Sequence, residues 1–490
     1  MDKYTSGMER LGPVVATVPS ATVSAACDTT RAAIEAGADR VELRLDQLGL
    51  GENPFALLAL AGEMPVLLSG RRDRLDPRDL PLFQRAQEIG AWVDVPFSSH
   101  LPEDLFGLDP SRLILSWHDF DNAPPDLDSV LARMRSRRAA AYKVVPTARD
   151  FPEVIALLRF LERNGGAGDL CAFAMGGPGV PSRVLALAWG SCATYATAPG
   201  CEAGAPGQMG LEEFLVDYRP VDMGRHDPVY ALAGWPLAHT RTPSFFNGWL
   251  ANAGLPGRYL PIPCTDPTAL LESGLPLGGV AVTIPHKETV VSMAARSSRL
   301  VRATGACNTL LPAPSVWLAA NTDVFGVRRA LRHVPRGSRC LLLGCGGAAA
   351  AAAFALAGRG PVSVSGRDDE KAEAFARRWG FQTVSWEDRG SVPWDLLVNA
   401  TPVGRQDDET PFPLDRLCGS WIFDMVVTPG GTTLLKTASV QGLAAIPGEA
   451  MLVPQAALQY RLWTGRRPPR GAAQGPLSLT DRPFTARLRE

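Results

Sequence analysis

In the stretch VELRLDQL (residues 41–48) the first six residues alternate strictly, with Val41, Leu43 and Leu45 on one side and Glu42, Arg44 and Asp46 on the other. A period of two marks a β-strand with one apolar face. Taken alone, the segment fits a surface strand whose charged face is solvated. Its neighbourhood does not look like a surface. Ahead of residue 200 come PVVATV (13–18), VELRLD (41–46), PVLLSGR (65–71), AWVDVPF (91–97), RLILSWHD (112–119), AAYKVV (140–145), LCAFAM (170–175) and ATYATA (193–198). Helical patterns, 22–36 and 152–162 among them, separate several of these runs. Eight βα units imply a parallel sheet closed into a (β/α)8 TIM barrel. Both faces of every barrel strand are enclosed, so Glu42, Arg44 and Asp46 are expected to point inward near the C-terminal mouth, where barrel active sites lie. Buried charges persist only when paired or bound. The trio therefore suits a ligand with hydroxyls and a carboxylate, or a structural salt-bridge cluster.

Composition sets the wider frame. A chain of 490 residues accommodates two to four domains. Hydrophobic residues make up 46% and charged residues 20%, which gives ample core for a soluble globular protein. The net charge of −1 leaves no electrostatic footprint for nucleic acid or an anionic membrane. Nine cysteines without a CxxC pair point to reduced thiols in the cytoplasm and to no metal site. The opening stretch MDKYTSGMERLGPVV lacks the apolar core of a signal peptide. Two uncharged stretches, 341–358 and 184–201, are too rich in Ala, Gly, Ser and Thr to be membrane spans.

Within the barrel pattern, Lys143 is a lone lysine in an apolar strand. Burial disfavours its ammonium form and is expected to lower its pKa toward the range of a nucleophilic amine; a lysine snorkelling from an edge strand is the alternative. His118 ends the preceding strand, suited to proton transfer or to a hydrogen bond with Asp119. Arg71 and Arg183 follow strands, where a carboxylate can be clamped. VELRLD, LSWHDF, YKVV, MGGPGVPSR and GAPGQM together resemble the type I 3-dehydroquinate dehydratases, over residues 10–220. The resemblance implies an imine between Lys143 and a substrate ketone, with His118 moving the proton. It assigns Glu42, Arg44, Asp46, Arg71, Arg183 and Gln208 to substrate binding. Two departures stand out. Gly204 replaces a usual serine, and RRDRLDP follows the strand where Glu-Gly-Gly is common.

Beyond a short polar linker (218–228), CLLLGCGGAAAAAAFAL runs from a strand (340–343) through Gly344, Gly346 and Gly347 into an Ala-rich helix. That context favours dinucleotide binding over a merely tight βα turn. At the next strand end, Arg367 suits a 2′-phosphate and Asp368 suits a ribose hydroxyl, unless the two form a surface ion pair. GGVAVTIPHKETV (278–290), TGACNTLL (304–311), AANTDVFGV (319–327), VNATPVG (398–404), FDMVVTPGGTTLL (423–435) and GEAMLVPQAALQYRLWTG (448–465) together resemble shikimate dehydrogenase. The resemblance implies a substrate lobe (226–328), a Rossmann lobe (329–447), and a C-terminal helix (448–465) that returns to the first lobe. It makes Lys287 and Asp323 the catalytic pair. Thr240, Thr242, Thr283, Asn308 and Gln455 are implied to bind substrate, and Gly344, Gly346, Gly347, Ala348, Arg367, Asn399, Thr401 and Met425 to bind NADP. Asp323 also suits a helix N-cap. Ala281, Val427, Gly366 and Asp368 depart from the usual pattern, and residues 466–490 read as a Gly-, Pro- and Arg-rich tail.

The resulting expectation is a fused enzyme that dehydrates 3-dehydroquinate and reduces the 3-dehydroshikimate so formed to shikimate with NADPH. An NAD-preferring quinate dehydrogenase and a catalytically dead metabolite sensor are the rivals. Oligomeric state is not legible.

Overall fold

The computed structural model describes residues 11–469 except 71–75, 99–100, 102–104, 124–125, 238–239, 241 and 406–408. These residues divide into two compact units, one up to Pro276 and one from Leu277.

In the first unit, strands β1 (Val14–Val18), β2 (Arg40–Arg44), β3 (Val66–Ser69), β4 (Trp92–Pro96), β5 (Leu113–His118), β6 (Ala141–Val145), β7 (Leu170–Ala172) and β8 (Thr194–Thr197) form one parallel sheet in which β1 to β6 each pair with the next. β1 also pairs with β8. The seam between β7 and β8 is bridged by Cys192 N–H donating to Leu170 O at 2.7 Å and by Cys171 Sγ at 3.3 Å from Ala193 O. This is the (β/α)8 barrel. Its strands are buried along nearly their whole length, as parallel strands covered on both faces must be. Helices follow for local reasons. Thr22 caps Val23–Glu35 by accepting from Ala25 N–H, and Asp150 caps Phe151–Asn164, which has Pro152 in its first turn.

The alternation of VELRLDQL continues further than the strand does. β2 stops at Arg44, and Leu45–Gln47 form a 3-10 turn. Asp46 thus stands outside the barrel wall rather than within it. The linker is also more firmly held than a polar tether. Arg258 donates from Nε to Tyr218 O and from Nη2 to Arg219 O (2.8 Å), while Arg219 Nη2 donates to Asn247 O at 3.2 Å. Here β9 (Val229–Gly234) and β10 (Arg258–Pro263) form a parallel pair, with helix Thr242–Asn252 between them in sequence.

The second unit contains β11 (Leu277–Val282), β12 (Arg296–Ser297), β13 (Thr309–Ala313) and β14 (Val316–Ala320), which lie in the order β11-β13-β14-β12. It also contains a parallel sheet of order β17-β16-β15-β18-β19-β20, built from β15 (Cys340–Leu343), β16 (Val362–Ser365), β17 (Gln382–Thr383), β18 (Leu396–Asn399), β19 (Trp421–Asp424) and β20 (Ala444–Ile446). Alternation along β15 sends Leu342 into one apolar core with the Ala-rich helix Gly347–Leu356, and Leu341 and Leu343 into a second core on the other face. The C-terminal helix Glu449–Thr464 packs on helix Asp323–Ala330. Gly326 permits the approach, since a Cβ there would lie 2.6 Å from Met451 O. Among the described residues no helix is long and apolar enough to cross a membrane; 341–358 is β15 plus its helix.

Candidate active sites

The barrel strands bring Lys143, Glu42 and Asp94 together across the interior, although 101 and 49 residues separate the lysine from its two partners. Lys143 Nζ lies 2.7 Å from Asp94 Oδ2 and 3.2 Å from Glu42 Oε1, and all three side chains are at most 5% exposed. Thr17 Oγ1 donates to Glu42 Oε2 at 2.9 Å, and Gln208 Nε2 to Thr17 Oγ1 at 3.0 Å. The ring of Tyr195 sits beneath the amine, 4.5 Å from Nζ. A cavity of about 270 Å3 opens over this cluster and is also lined by Arg44, His118, Arg183, Gly204 and Gln208.

The electrostatics reverse one expectation. Burial alone would depress the Lys143 ammonium, but the Asp94 and Glu42 charges outweigh it and hold the amine above the usual lysine range. Glu42 is pulled below the carboxylate range, because Lys143, Arg44 and the Thr17 hydroxyl overcome the burial that would raise it. The free barrel therefore keeps its lysine protonated, between two carboxylates that can receive the proton.

Arg183 is on helix Val180–Leu185 rather than in a loop after a strand. It is 1% exposed, and its guanidinium lies 4.6 Å from the centre of the Phe173 ring. Nη1 reaches Tyr195 O at 3.4 Å, whereas Nε and Nη2 are buried without a partner. Burial pulls its pKa down to about 10, and no carboxylate offsets it. Such a cation is a receptor for an anion. Asp94 Oδ1, Gln208 Oε1 and Tyr195 Oη are likewise buried and unpartnered, which leaves the cavity rich in both donors and acceptors. His118, half-buried at the end of β5, stacks on Phe120 at 5.8 Å. Asp46 grips Arg44 through two bonds of 2.8 and 2.7 Å, so it orients that guanidinium and does not line the cavity. Arg71 lies outside the described residues. Asp94 escaped the sequence reading although its signal matched that of Lys143, one charge in an apolar strand. Tyr195 gave no signal, since aromatics are ordinary in strands.

In the second unit, Lys287 Nζ lies 2.6 Å from Asp323 Oδ2. Asn308 Nδ2 donates to Asp323 Oδ1 at 2.8 Å and lies 3.1 Å from Gln455 Oε1. Thr322 and Gln459, not singled out in the sequence, complete this buried network. Asp323 is no N-cap. It is the first residue of its helix, its carboxylate taken by Lys287 and Asn308. Thr283 follows β11, and its carbonyl accepts from His286 N–H at 2.9 Å. Thr240 and Thr242 belong to the first unit, with hydroxyl oxygens 3.4 Å apart.

The glycine-rich turn adjoins this pair. A Cβ on Gly347 would come within 3.2 Å of Lys287 Cβ. Gly344, at φ +104°, has Ala400 and Thr401 at 3.2 Å from where its Cβ would be, while the space around Gly346 is open. Ala348 lies in the first turn of the following helix. Backbone close to an open concavity at a helix N-terminus is what a pyrophosphate requires, so the residues present fit a dinucleotide. Asn399 shapes the turn, with Oδ1 accepting from Thr401 N–H and Oγ1 and Nδ2 donating to Asp424 at 2.9 Å. Met425 packs at the edge of the adjacent core. Asp368 is not paired with Arg367. It caps helix Asp369–Trp379 through Lys371 N–H and pairs with Lys371 Nζ at 3.1 Å, while Arg367 is exposed at the end of β16.

A barrel built around a buried amine, followed by a nucleotide-type sheet whose glycine turn touches a lysine–carboxylate pair, defines a two-module enzyme. The family model for type I 3-dehydroquinase matches residues 14–219, that for the shikimate dehydrogenase substrate binding domain matches 232–310, and that for the shikimate 5'-dehydrogenase C-terminal domain matches 448–473. The chain belongs to the bifunctional 3-dehydroquinate dehydratase/shikimate dehydrogenase family. It is 29% identical to the chloroplastic bifunctional 3-dehydroquinate dehydratase/shikimate dehydrogenase of Arabidopsis thaliana, over 90% of this chain and 80% of that protein. It is 34% identical to the NADP(+) shikimate dehydrogenase of Oleidesulfovibrio alaskensis, over 49% of this chain and 91% of the relative. Shikimate 5-dehydrogenase from Thermus thermophilus, solved with NADP(H) and shikimate, aligns at 33% identity and a TM-score of 0.46, covering 50% of this chain and 96% of that one.

Proposed function

We propose that the barrel dehydrates 3-dehydroquinate through an imine at Lys143 and that the second module reduces 3-dehydroshikimate to shikimate with NADPH. The observation that carries the barrel reading is the cavity itself, in which a buried amine between two carboxylates is surrounded by unpartnered donors and acceptors. The substrate brings a ketone, hydroxyls and a carboxylate. Arg183 takes the carboxylate, and Gln208, Glu42 and Arg44, held by Asp46, take hydroxyls; Arg71 is assigned to the same role. Lys143 passes a proton to Asp94 or Glu42 and attacks the ketone, and the iminium acidifies the adjacent carbon. His118 removes that proton and returns it to the departing hydroxyl.

In the second module Lys287 protonates the oxygen of the substrate carbonyl, and Asp323 fixes the amine's position and charge. Thr240, Thr242, Thr283, Asn308 and Gln455 hold the substrate. Gly344, Gly346, Gly347, Ala348, Thr401 and Met425 line the nucleotide side, with Asn399 fixing the turn. When bound, the nicotinamide supplies hydride. Asp368, engaged as an N-cap, is poorly free to take a ribose hydroxyl, which favours a 2′-phosphate at Arg367. We place the chain in the cytoplasm, where its nine free cysteines stay reduced.

One assay tests both modules. Protein is given 3-dehydroquinate and then NADPH while absorbance is followed. An enone band that appears and is then consumed with NADPH is the expected course. No enone, with added 3-dehydroshikimate still reduced, refutes the barrel assignment alone; enone without NADPH oxidation refutes the reductase assignment alone. Lys143→Ala is expected to lose dehydration and keep reduction.

A further inference from the structure

Of the unpartnered polar atoms around the barrel cavity, the proposed dehydration uses those of Arg183 and Gln208, and Asp94 serves it as a proton acceptor. It gives no role to Tyr195. This side chain is 3% exposed on β8, lines the cavity, and has a hydroxyl that is buried and without a partner. Buried phenols normally find a hydrogen-bond partner. Leaving a buried polar group unmatched is destabilising. Packing does not explain the hydroxyl, because the ring contacts, 5.5 Å to Phe173 and 4.5 Å to Lys143 Nζ, are equally available to phenylalanine.

The surroundings fix what the phenol can do. Burial, with Cys171, Glu42 and Asp94 adding to it, pushes Tyr195 well above the ordinary phenol range, so it remains a neutral donor. Facing the same amine are the carboxylates of Glu42 on β2 and Asp94 on β4 and the thiol of Cys171 on β7; Arg44, His118 and Arg183 line the same cavity. The carboxylates repel an oxygen that gains negative charge, whereas a neutral donor beside the amine attracts it.

We infer that Tyr195 Oη donates a hydrogen bond to the substrate oxygen that Lys143 displaces. This rests on the barrel reading proposed above. In the step concerned, the Nζ lone pair forms the C–N bond and the C=O π pair moves onto oxygen, which takes the proton leaving nitrogen. The proton that Asp94 or Glu42 took from the ammonium then lets that oxygen depart as water, and the nitrogen lone pair closes the iminium. Tyr195 neither gains nor loses a proton; it stabilises the oxygen while charge develops there.

Tyr195→Phe keeps the ring and removes the donor. The full-length protein is mixed rapidly with 3-dehydroquinate, quenched with borohydride at successive times, and the adduct on Lys143 measured by mass spectrometry alongside kcat and KM. The rate of adduct formation at saturating substrate is expected to fall on the order of a hundredfold, the effect of losing one oxyanion donor, while KM moves far less. The thermal midpoint of the variant is measured first to establish that it is folded. An adduct rate equal to wild type, or a loss confined to KM, overturns the inference and leaves the barrel reading intact. A wild-type protein that forms no adduct overturns both.

Discussion

Asp94→Asn tests the central electrostatic argument, because it deletes one charge from the Lys143 cluster and preserves the shape of the side chain. In the native barrel Lys143 Nζ has Asp94 Oδ2 at 2.7 Å and Glu42 Oε1 at 3.2 Å. Its pKa is raised, so the stability contributed by this ion cluster is fully present below the ordinary lysine range and is lost as pH rises through the folded-state value. An opposite charge at this distance shifts a pKa by about 1–3 units. At about 1.4 kcal/mol per unit, the variant loses about 1.4–4 kcal/mol of preference for the ammonium, with Glu42 still in place. The assay is borohydride trapping of the 3-dehydroquinate adduct on Lys143 across pH. The wild-type trapping rate is expected to climb over the whole alkaline range in which the protein stays folded. Asp94→Asn is expected to reach its plateau about 1–3 pH units earlier and to be lower there, having lost a proton acceptor. A folded variant whose profile superimposes on that of wild type refutes the claim that Asp94 sets the charge of Lys143.

Two further perturbations address the second module. Arg367→Ala should raise KM for NADPH by about ten- to hundredfold, the worth of one hydrogen bond to a charged group, with the KM for NADH unchanged; equal effects on both cofactors, read from steady-state kinetics, refute the 2′-phosphate assignment. Gly347→Ala adds a Cβ that would lie 3.2 Å from Lys287 Cβ and 3.3 Å from its Cδ, closer than such contacts normally come. Displacing the lysine by a few tenths of an ångström should lower the kcat for 3-dehydroshikimate reduction by roughly tenfold and spare dehydration, which assays of the two half-reactions separate.

Period and punctuation made the fold legible. Eight short apolar runs separated by helical patterns gave the barrel strands to within a few residues at each end, and CLLL before GCGG located β15 together with its turn. VELRLDQL shows the limit of such reading. Alternation continues through Asp46, but β2 ends at Arg44, because Asp46 bonds back to the Arg44 guanidinium and the chain turns there. Nothing in a period of two marks where a side chain will fold back on its neighbour. Asp368 is a similar case. Next to Arg367 it looks like a cofactor-reading acid or half of an ion pair, yet a helix begins directly after it and takes its carboxylate as a cap. The N-cap signal was present in the sequence as an aspartate directly ahead of a helical run that opens with Asp369 and Glu370.

The sign of the Lys143 shift was out of reach for a different reason. Burial is a local property, and one lysine among apolar residues announces it. Compensation is not local, since both carboxylates come from other strands, and only closure of the barrel decides that they face the same amine. Three buried charges, two negative and one positive, persist there because an ammonium between carboxylates is better off than a neutral amine beside two unpaired anions. In the proposed mechanism, nucleophilic attack requires a rearrangement of charge within the cavity, in which the amine gives up its proton as the substrate's own anion settles on Arg183. Lys287 faces the opposite demand. Among the described residues it has one carboxylate partner, at 2.6 Å, its side chain is 15% exposed, and its proposed task is to give a proton rather than to lose one before reacting. In the proposed mechanism these two lysine–carboxylate sites carry opposite proton traffic. The difference lies in the number of carboxylates and the depth of burial, neither of which is written in the residues next to either lysine.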